Sequence, residues 1–343
     1  MSGRTLYAKS ALTLCLALVL LAGCAPAPAQ AAPEAERTFF AMDTVMTLRL
    51  YQGGSGETLE RAEDRVREFE ALWSVTDENS EICALNRDGR ARLSQPTADL
   101  LDRALGLCAR TDGALDISVY PVLRTWGFTT GAYSVPNDET IAALLPLVDY
   151  GQIRLEGSDA ALPPGMEIDL GSVAKGYTGS ALAALLRKDG VTSALLDLGG
   201  SIQAVGAKPD GSPWRVGVRD PEGEGSVGVV SVTDQAVVTS GGYERYFQEG
   251  GASYWHILDP ETGKPARSGL VSVTVVGDDG AVCDALSTAL FVMGLDDALE
   301  HWRQYQDFEA VFVSEDGSVT ITAGLAEYFT LSQTNRALTV AQP

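Results

Sequence analysis

An acidic residue inside an apolar helix is the first feature of this sequence that suggests chemistry. Asp284 is followed four residues later by Thr288 in a predicted helix that is otherwise largely apolar. On a helix this spacing directs both side-chain oxygens from one face. A buried carboxylate is costly unless it is hydrogen-bonded, paired or bound to metal, and hard oxygen ligands suit Mg²⁺. A carboxylate bonded to a neighbouring turn, with Thr288 bonding back to its own helix, explains the pattern equally well.

A second cluster brings an acid, a glycine turn and a lysine to the start of a predicted helix. It runs from Asp169 to Tyr177 with the sequence DLGSVAKGY, after a predicted strand at about 166–170. Helix N-termini attract phosphate through unpaired N–H groups and the helix dipole, and Lys175 would add positive charge. The segment fits an anion site, although an acid before a helix is more often a simple cap.

Two further clusters combine turns with polar side chains. Thr239, Ser240 and Gly241 end a predicted strand at a glycine turn, and this pattern alone indicates a loop corner. His256 precedes an Asp-Pro-Glu-Thr-Gly turn, so it is either a functional group or a satisfied structural residue. The other histidine, His301, lies among charged neighbours and is expected to be a solvated helix residue.

The composition excludes several classes of protein. The formal charge of −21 at pH 7 argues against nucleic-acid binding, which normally leaves a basic footprint. The sequence contains no P-loop, no strand-linked GxGxxG and no GxSxG elbow. Few histidines and no CxxC argue against a zinc site. We expect Cys83, Cys108 and Cys283 to be buried thiols, while one disulfide is possible.

The N-terminus has the pattern of an export signal. Arg4 and Lys9 precede an apolar stretch at 11–22 that is too short to span a bilayer. The stretch ends in Leu-Ala-Gly-Cys, which resembles a bacterial lipobox, so we expect lipidation of Cys24, with simple secretion as the alternative. The sequence thus predicts a lipoprotein signal peptide (1–23), a Pro/Ala-rich tether (24–36), a catalytic domain (37–335) and a C-terminal tail (336–343).

Helices and strands are mixed without strict alternation, which favours an α+β fold in one compact unit. In the first half, apolar periodicity predicts strands at about 39–51 and 166–170 and helices at about 59–72, 96–110 and up to 188. The second half is predicted as mostly strands to residue 277, then helices at about 281–294 and 297–305 and two short strands between 309 and 322.

In this order, the clusters resemble the ApbE family of FAD:protein FMN transferases. The resemblance begins with AMDT at 41–44 and continues with SEI at 80–82, DGALD at 112–116 and WGF at 126–128. It then includes 169–177, 198–200, 239–241, 256–263 and 284–288, and so spans nearly the whole chain after the tether. The resemblance implies one compact ApbE-like (T-fold-related) domain with mixed sheets and flanking helices.

The resemblance also implies roles for individual residues. Magnesium would be bound by Asp284 and Thr288, with Ser172 and Ser287 close by as further oxygen donors. His256 matches the family's histidine near the reacting phosphates, so His256 and Asp284 are the implied catalytic residues. FAD would contact Met42, Ala114, Leu115, Asp116, Asp169, Lys175 and Ile257.

The sequence departs from the family pattern at four positions. Asp43 stands where glycine is usual, and Thr76 stands where an aromatic side chain often stacks on the flavin. Tyr120 and Gly242 replace the commoner glycine and aspartate. The departure at Thr76 bears on ring stacking, whereas the implied metal positions are intact.

The implied reaction is magnesium-dependent transfer of FMN from FAD to a serine or threonine hydroxyl of an exported acceptor protein, with release of AMP. The implied partners are FAD, an acceptor flavoprotein such as a subunit of a membrane redox complex, and the extracytoplasmic face of a membrane through the lipid anchor. The alternatives are a FAD pyrophosphatase that yields FMN and AMP, and a non-catalytic flavin-binding lipoprotein.

Overall fold

Nine of the nineteen strands in the described residues assemble into one large sheet whose two faces are covered by different layers. A computed structural model describes residues 32–332 and 335–343, and Pro33–Pro343 form one compact unit. The predicted signal peptide, Cys24 and most of the tether lie outside the described residues. Within the described ranges, no helix has the length and apolarity needed to cross a bilayer.

Helices form where apolar residues recur at three- and four-residue steps, as on the buried face made by Leu59, Val66 and Phe69. The α-helices of the described residues are α1 (Gly56–Trp73), α2 (Glu81–Asp88), α3 (Gln95–Arg110), α4 (Tyr120–Thr125), α5 (Asp138–Leu144), α6 (Gly171–Lys188), α7 (Gly280–Met293) and α8 (Leu295–Tyr305). The sequence did not predict α2, a short helix that Ser80 caps by accepting a hydrogen bond from the Cys83 N–H.

The strands follow in chain order. They are β1 (Ala35–Ala41), β2 (Thr44–Gln52), β3 (Arg90–Arg92), β4 (Arg154–Glu156), β5 (Asp159–Ala161), β6 (Ser193–Asp197), β7 (Ser201–Val205), β8 (Trp214–Arg219), β9 (Ser226–Val232), β10 (Ala236–Gly241), β11 (Tyr246–Glu249), β12 (Ala252–Trp255), β13 (Leu258–Asp259), β14 (Lys264–Pro265), β15 (Leu270–Gly277), β16 (Glu309–Ser314), β17 (Val319–Thr322), β18 (Phe329–Leu331) and β19 (Leu338–Ala341).

Over the described ranges, the main sheet has nine strands in the order β1-β2-β6-β7-β10-β15-β16-β17-β19. Apolar residues on one face pack against α1, α6 and α7, while those on the other face pack against a second sheet with the order β18-β9-β8. Because strands alternate their side chains between faces, the central strands are apolar on both sides. Mixed sheets and helices in one unit confirm the predicted α+β class.

The predicted strand at 39–51 is instead a hairpin of β1 and β2. Ala41 pairs with Thr44, so Met42 and Asp43 form a two-residue turn, and their φ values are 48° and 64°. Such a turn needs left-handed backbone at both positions, which glycine adopts most easily and aspartate tolerates. The Met42 N–H donates to the Glu70 carboxylate at 2.6 Å, which fixes the tip of the hairpin to α1.

The predicted strand at 166–170 is wrong, because this segment bonds to a side chain and a loop rather than to another strand. The Ile168 N–H donates to Asn86 Oδ1 at 2.8 Å, and the Asn86 amide donates back to the Ile168 carbonyl at 2.9 Å. The Asp169 N–H donates to the Ile117 carbonyl at 2.9 Å. These bonds still deliver Asp169 to the start of α6.

Two further expectations need correction. His301 is not solvated but 8% exposed, because it lies on the inner face of α8 with its ring 4.6 Å from that of Tyr305. The residues predicted as a tail, 336–343, contain β19, which pairs with β17 in the main sheet. Cys83, Cys108 and Cys283 are free thiols, and Cys108 and Cys283 are buried.

Candidate active site

A cavity of about 1040 Å³ opens where the ends of main-sheet strands meet α6 and α7. The tip of the β1–β2 hairpin, the loop after α3 and the end of β10 contribute to its wall. The residues that the sequence predicted for catalysis, metal binding or FAD binding line this cavity, with one exception: Met42, Ala114, Leu115, Asp116, Asp169, Ser172, Lys175, His256, Ile257, Asp284 and Thr288. The exception is Ser287, which is completely buried behind the wall.

Asp284 reaches the cavity because α6 and α7 pack in direct backbone contact. A Cβ atom on Gly176 of α6 would lie 1.9 Å from the carbonyl oxygen of Gly280 on α7, so only glycine allows this approach. The contact lets the Gly176 N–H donate to Asp284 Oδ2 at 2.8 Å. The carboxylate is thereby held at the first turns of α6.

Burial controls the charge of Asp284. The side chain is 5% exposed, and desolvation raises its pKa to about 6, against the opposing effects of the Lys175 charge and the Gly176 N–H. A buried carboxylate with a raised pKa gains by binding a cation. Among the described residues, no group of three or more His, Cys, Asp and Glu side chains is placed to hold a metal. A cation at Asp284 would therefore rely on hydroxyl and carbonyl oxygens for its other protein ligands.

Three hydroxyls form a hydrogen-bonded chain behind Asp284, which we call the hydroxyl chain: Ser287, Ser240 and Thr288. Ser287 Oγ donates to the Asp284 carbonyl at 2.8 Å, so its single proton is used. Ser240 must then donate to Ser287 across their 2.8 Å contact, and Thr288 must donate to Ser240 at 3.1 Å. As a result, the Thr288 proton is directed at Ser240, and the lone pairs of Thr288 remain available to a cation.

The N-terminus of α6 forms the neighbouring wall. Asp169 Oδ1 accepts a hydrogen bond from the Gly171 N–H at 2.9 Å, and burial raises the pKa of Asp169. Ser172 and the half-buried Lys175 follow on the first turns of the helix. A positive helix end together with an ammonium group is a suitable site for phosphate.

Asp116 anchors the loop that contributes Ala114 and Leu115 to the cavity. Its Oδ1 accepts from the Ser118 N–H at 2.8 Å and the Ser118 hydroxyl at 2.6 Å, and its Oδ2 accepts from the Tyr150 N–H at 3.1 Å. Burial nevertheless raises the pKa of this carboxyl. These bonds hold the loop after α3 in place.

His256 is half-buried and lines the cavity, and the next residue, Ile257, is buried. Its Nδ1 is 3.3 Å from the Arg245 carbonyl oxygen, and its ring contacts that of Phe128 edge-on at 6.2 Å. Burial and the nearby Arg245 charge lower the pKa of His256 to about 4. The imidazole is therefore neutral near pH 7, and Nδ1 donating to the carbonyl leaves Nε2 as an acceptor.

Comparison with known proteins identifies the family to which this chain belongs. A sequence model described as the ApbE family matches residues 42–312. The chain belongs to the ApbE family. The FAD:protein FMN transferase of Treponema pallidum (strain Nichols) is 31% identical over 319 residues, which cover 86% of this chain and 88% of that protein. The enzyme of the same name from Klebsiella pneumoniae (strain 342) is 30% identical and covers 82% of this chain and 90% of its own length.

Solved structures of ApbE proteins have the same fold. The ApbE protein of Thermotoga maritima superposes with a TM-score of 0.80 at 31% identity, over 86% of this chain and 98% of that one. The flavin transferase ApbE of Vibrio cholerae superposes with a TM-score of 0.78 at 26% identity, over 86% of this chain and 98% of that one. The ApbE-like fold that the sequence implied is thus confirmed.

The cavity is also lined by charged residues that the sequence did not predict as site residues. Glu70, Arg215, Arg219 and Glu244 line it, and Arg245 forms an ion pair with Asp43 at 3.4 Å. No motif marked them, because they come from separate elements that only the fold brings together. Thr76 also lines the cavity. Among the described residues, the Phe, Trp and Tyr side chains that line it are Phe69, Trp73, Phe128 and Tyr243.

Proposed function

We propose that this ApbE-family protein is a FAD:protein FMN transferase. In this proposal it moves FMN from FAD to a serine or threonine hydroxyl of another protein, releases AMP and requires Mg²⁺. The observation that carries the proposal is the position of Asp284 and Thr288: a buried carboxylate, hydrogen-bonded to α6, and a hydroxyl bonded to Ser240 line the same cavity as the N-terminus of α6. Oxygen donors beside a phosphate-binding helix end suit a dinucleotide diphosphate.

The donor set around Asp284 fits magnesium. Asp284, Thr288 and an oxygen of Ser172 would hold the ion, while the buried Ser287 would orient them rather than bind it. When bound, the ion would neutralise the charge that develops on the leaving phosphate. The raised pKa of Asp284 supports this assignment, since the carboxylate has no cationic partner of its own within ion-pair distance in the described chain.

The chain's own residues account for the remaining work. Lys175 and the first N–H groups of α6 bind and orient the phosphates of FAD. The neutral His256 accepts the proton of the acceptor hydroxyl at Nε2 as its oxygen attacks the FMN phosphorus. The new bond joins the acceptor oxygen to that phosphorus, the bond from the phosphorus to AMP breaks, and AMP leaves with the electron pair.

We also propose that the enzyme works outside the cytoplasm. The signal pattern at 1–23 and the lipobox before Cys24 support export and a lipid anchor. The Pro/Ala-rich segment up to residue 34 would act as a spacer between the anchor and β1. The acceptor would then be a flavoprotein on the same side of the membrane, such as a subunit of a redox complex.

A labelling assay tests the proposal. The protein is incubated with FAD, Mg²⁺ and an extracytoplasmic flavoprotein subunit of a membrane redox complex as candidate acceptor, and products are resolved by mass spectrometry. We expect covalent FMN on the acceptor and an equal amount of AMP. Free FMN without the adduct would indicate a pyrophosphatase instead, and intact FAD would indicate binding alone.

The matched variants are Asp284→Asn and Asp297→Asn. The first keeps an oxygen that can accept the Gly176 hydrogen bond but removes the charge, so transfer should fall by about 10³-fold or more. The second removes an exposed charge on α8, outside the cavity, and should leave transfer unchanged. Persistent transfer by Asp284→Asn in the presence of EDTA would contradict the metal assignment.

A further inference from the structure

Strand β8 presents its edge, rather than only one face, to the cavity. Arg215, Val216, Gly217 and Arg219 all line the cavity, although successive residues of a strand point to opposite faces. Val216 is buried toward the main sheet, whereas the two arginines are exposed on the other face. Because neighbouring residues from both faces of the strand contribute to this wall, the wall is formed by the edge of β8.

Among the residues that the structure describes, no strand lies beside this edge of β8. In the second sheet β8 is the terminal strand, and within the described residues it pairs only with β9. Its alternate backbone N–H and C=O groups therefore point away from β9 toward the cavity. An unpaired edge can add an extended peptide as a further strand.

The two arginines give this edge a positive charge. Within the described part of the chain, neither Arg215 nor Arg219 has a carboxylate at ion-pair distance, and the Arg219 guanidinium lies 5.3 Å from the Tyr243 ring centroid. They are four residues apart on one strand face, with Gly217 between them, which places them roughly 13 Å apart.

Together these residues form a groove that is continuous with the candidate active site. We call it the β8 groove: its outer side is Arg215, Val216, Gly217 and Arg219, and its inner side is Leu195 and Ile202 of the main sheet. Glu244 lines the same cavity as the groove and the phosphate site, and burial raises the pKa of its carboxyl against the charges of Lys175 and Arg219. A ligand in the groove would thus reach the phosphate site.

We propose that the β8 groove binds an extended, acidic segment of the acceptor protein, which pairs with β8 and presents its hydroxyl to the FMN phosphorus. This inference rests on the proposed function. A strand edge recognises a peptide backbone, which FAD lacks, and the apolar inner wall suits alternate side chains. The arginines would pair with carboxylates four residues apart in that segment, whereas the diphosphate of FAD has Lys175 and the end of α6.

Peptide binding tests the groove without relying on transfer. The probe is a fluorescent ten-residue peptide with a central threonine and two glutamates four residues apart. Its partners are a glutamine version and a version N-methylated at alternate residues. By fluorescence anisotropy we expect the acidic peptide to bind at least about tenfold more tightly than the glutamine version, with an advantage that shrinks at high salt. N-methylation should abolish binding.

Two double variants make the assignment specific. Arg215→Ala/Arg219→Ala should remove the preference for the acidic peptide while FAD still binds. Arg90→Ala/Arg92→Ala is the control, because these arginines are also exposed on one strand, β3, but lie away from the cavity. If the acidic and glutamine peptides bind equally, or if the groove variant loses FAD instead, the proposal is overturned. Absence of FMN on any acceptor, with peptide binding intact, would contradict the proposed function and not the groove.

Discussion

At the scale of residues, the hydrogen bonds of Thr288 leave its hydroxyl lone pairs available, as the proposed magnesium site requires. Its own proton is taken by Ser240, which in turn donates to Ser287, whose proton is fixed on the Asp284 carbonyl. A serine or threonine in a helix would otherwise donate back to its own backbone. The direction of these hydrogen bonds, more than the presence of the residues, supports the metal site.

Removing Ser240 should weaken cation binding without unfolding the protein. In Ser240→Ala, the Thr288 hydroxyl loses its acceptor and is free to turn its proton toward the cavity. One such hydrogen bond contributes about 1 kcal/mol, so the Mg²⁺ concentration for half-maximal FMN transfer should rise by roughly fivefold. Titration of the transfer rate with Mg²⁺ measures this, and Ser253→Ala, on β12, is the control. An unchanged titration would show that the hydroxyl chain is only structural.

The sequence predicted the members of the site better than their connections. Resemblance identified the cavity-lining residues because each lies in a short local motif. The bond between Ser240 and Ser287 joins residues 47 positions apart, so no local pattern could reveal it. Likewise, Arg215 and Arg219 look like ordinary strand residues until the free edge of β8 is seen against the cavity.

At the scale of elements, the contact between α6 and α7 positions the chemistry. Gly176 and Gly280 allow the two helices to touch, and this contact brings the carboxylate of α7 to the N-terminus of α6. The sequence predicted both helices from their apolar periodicity, but it did not show that they are neighbours. Their closeness depends on two glycines, which sequence reasoning treats as weak helix formers.

Gly176→Ala should therefore damage both stability and activity. The new Cβ would clash with the Gly280 carbonyl and with Asp284 Cβ, at 1.9 and 2.6 Å, and forcing the helices apart should cost about 2–4 kcal/mol of unfolding free energy. Gly106→Ala, in α3, is the control, since its Cβ would meet nothing within 4 Å; it should be stabilised by about 0.5–1 kcal/mol. Urea denaturation compares the two, and equal stabilities would contradict the packing argument.

The elements that the sequence missed share a physical cause. The β1–β2 turn uses Met42 and Asp43 rather than an Asn-Gly or Asp-Gly pair, so an apolar run appeared continuous. The segment 166–170 has strand-like composition, but its backbone bonds go to Asn86 and a loop. In both cases, contacts with residues that are distant in sequence determine the structure, and the local composition does not reveal those contacts.

At the scale of the whole molecule, the cavity combines cations with carboxylates. The chain is strongly acidic, and in its described part four cations line the cavity beside carboxylates such as Asp284: Lys175, Arg215, Arg219 and Arg245. The four cations supply the local compensation that an anionic ligand needs in such a chain. It fits an enzyme that must bind a dinucleotide and, by our further inference, an acidic polypeptide.

The stability of the whole molecule should fall on acidification, partly because of His301. Burial lowers the folded-state pKa of His301 below its usual 6.5. The unfolded state therefore binds the proton more readily, so this contribution is complete above about pH 6.5 and is lost as the pH falls below it. His256, whose pKa is lowered to about 4, acts in the same direction.

Replacing His301 with phenylalanine tests this linkage. The unfolding free energy of His301→Phe, measured in urea at pH 8, 6.5 and 5, should decrease less between pH 6.5 and 5 than that of the unmodified protein. The decrease in unfolding free energy that remains in the variant is due to the titration of His256 and of other groups. Parallel curves for the two proteins would show that His301 does not titrate differently on folding.

The proposed mechanism requires the dinucleotide diphosphate and its cation to lie together beside Asp284 and Thr288. A crystal structure of the protein with FAD and Mn²⁺ in place of Mg²⁺, recorded with anomalous scattering, would locate both. We expect an anomalous peak within about 2.5 Å of the Asp284 carboxylate and Thr288 Oγ1, with the diphosphate beside it at the N-terminus of α6. A peak elsewhere, or a diphosphate distant from these oxygens, would contradict the proposed mechanism.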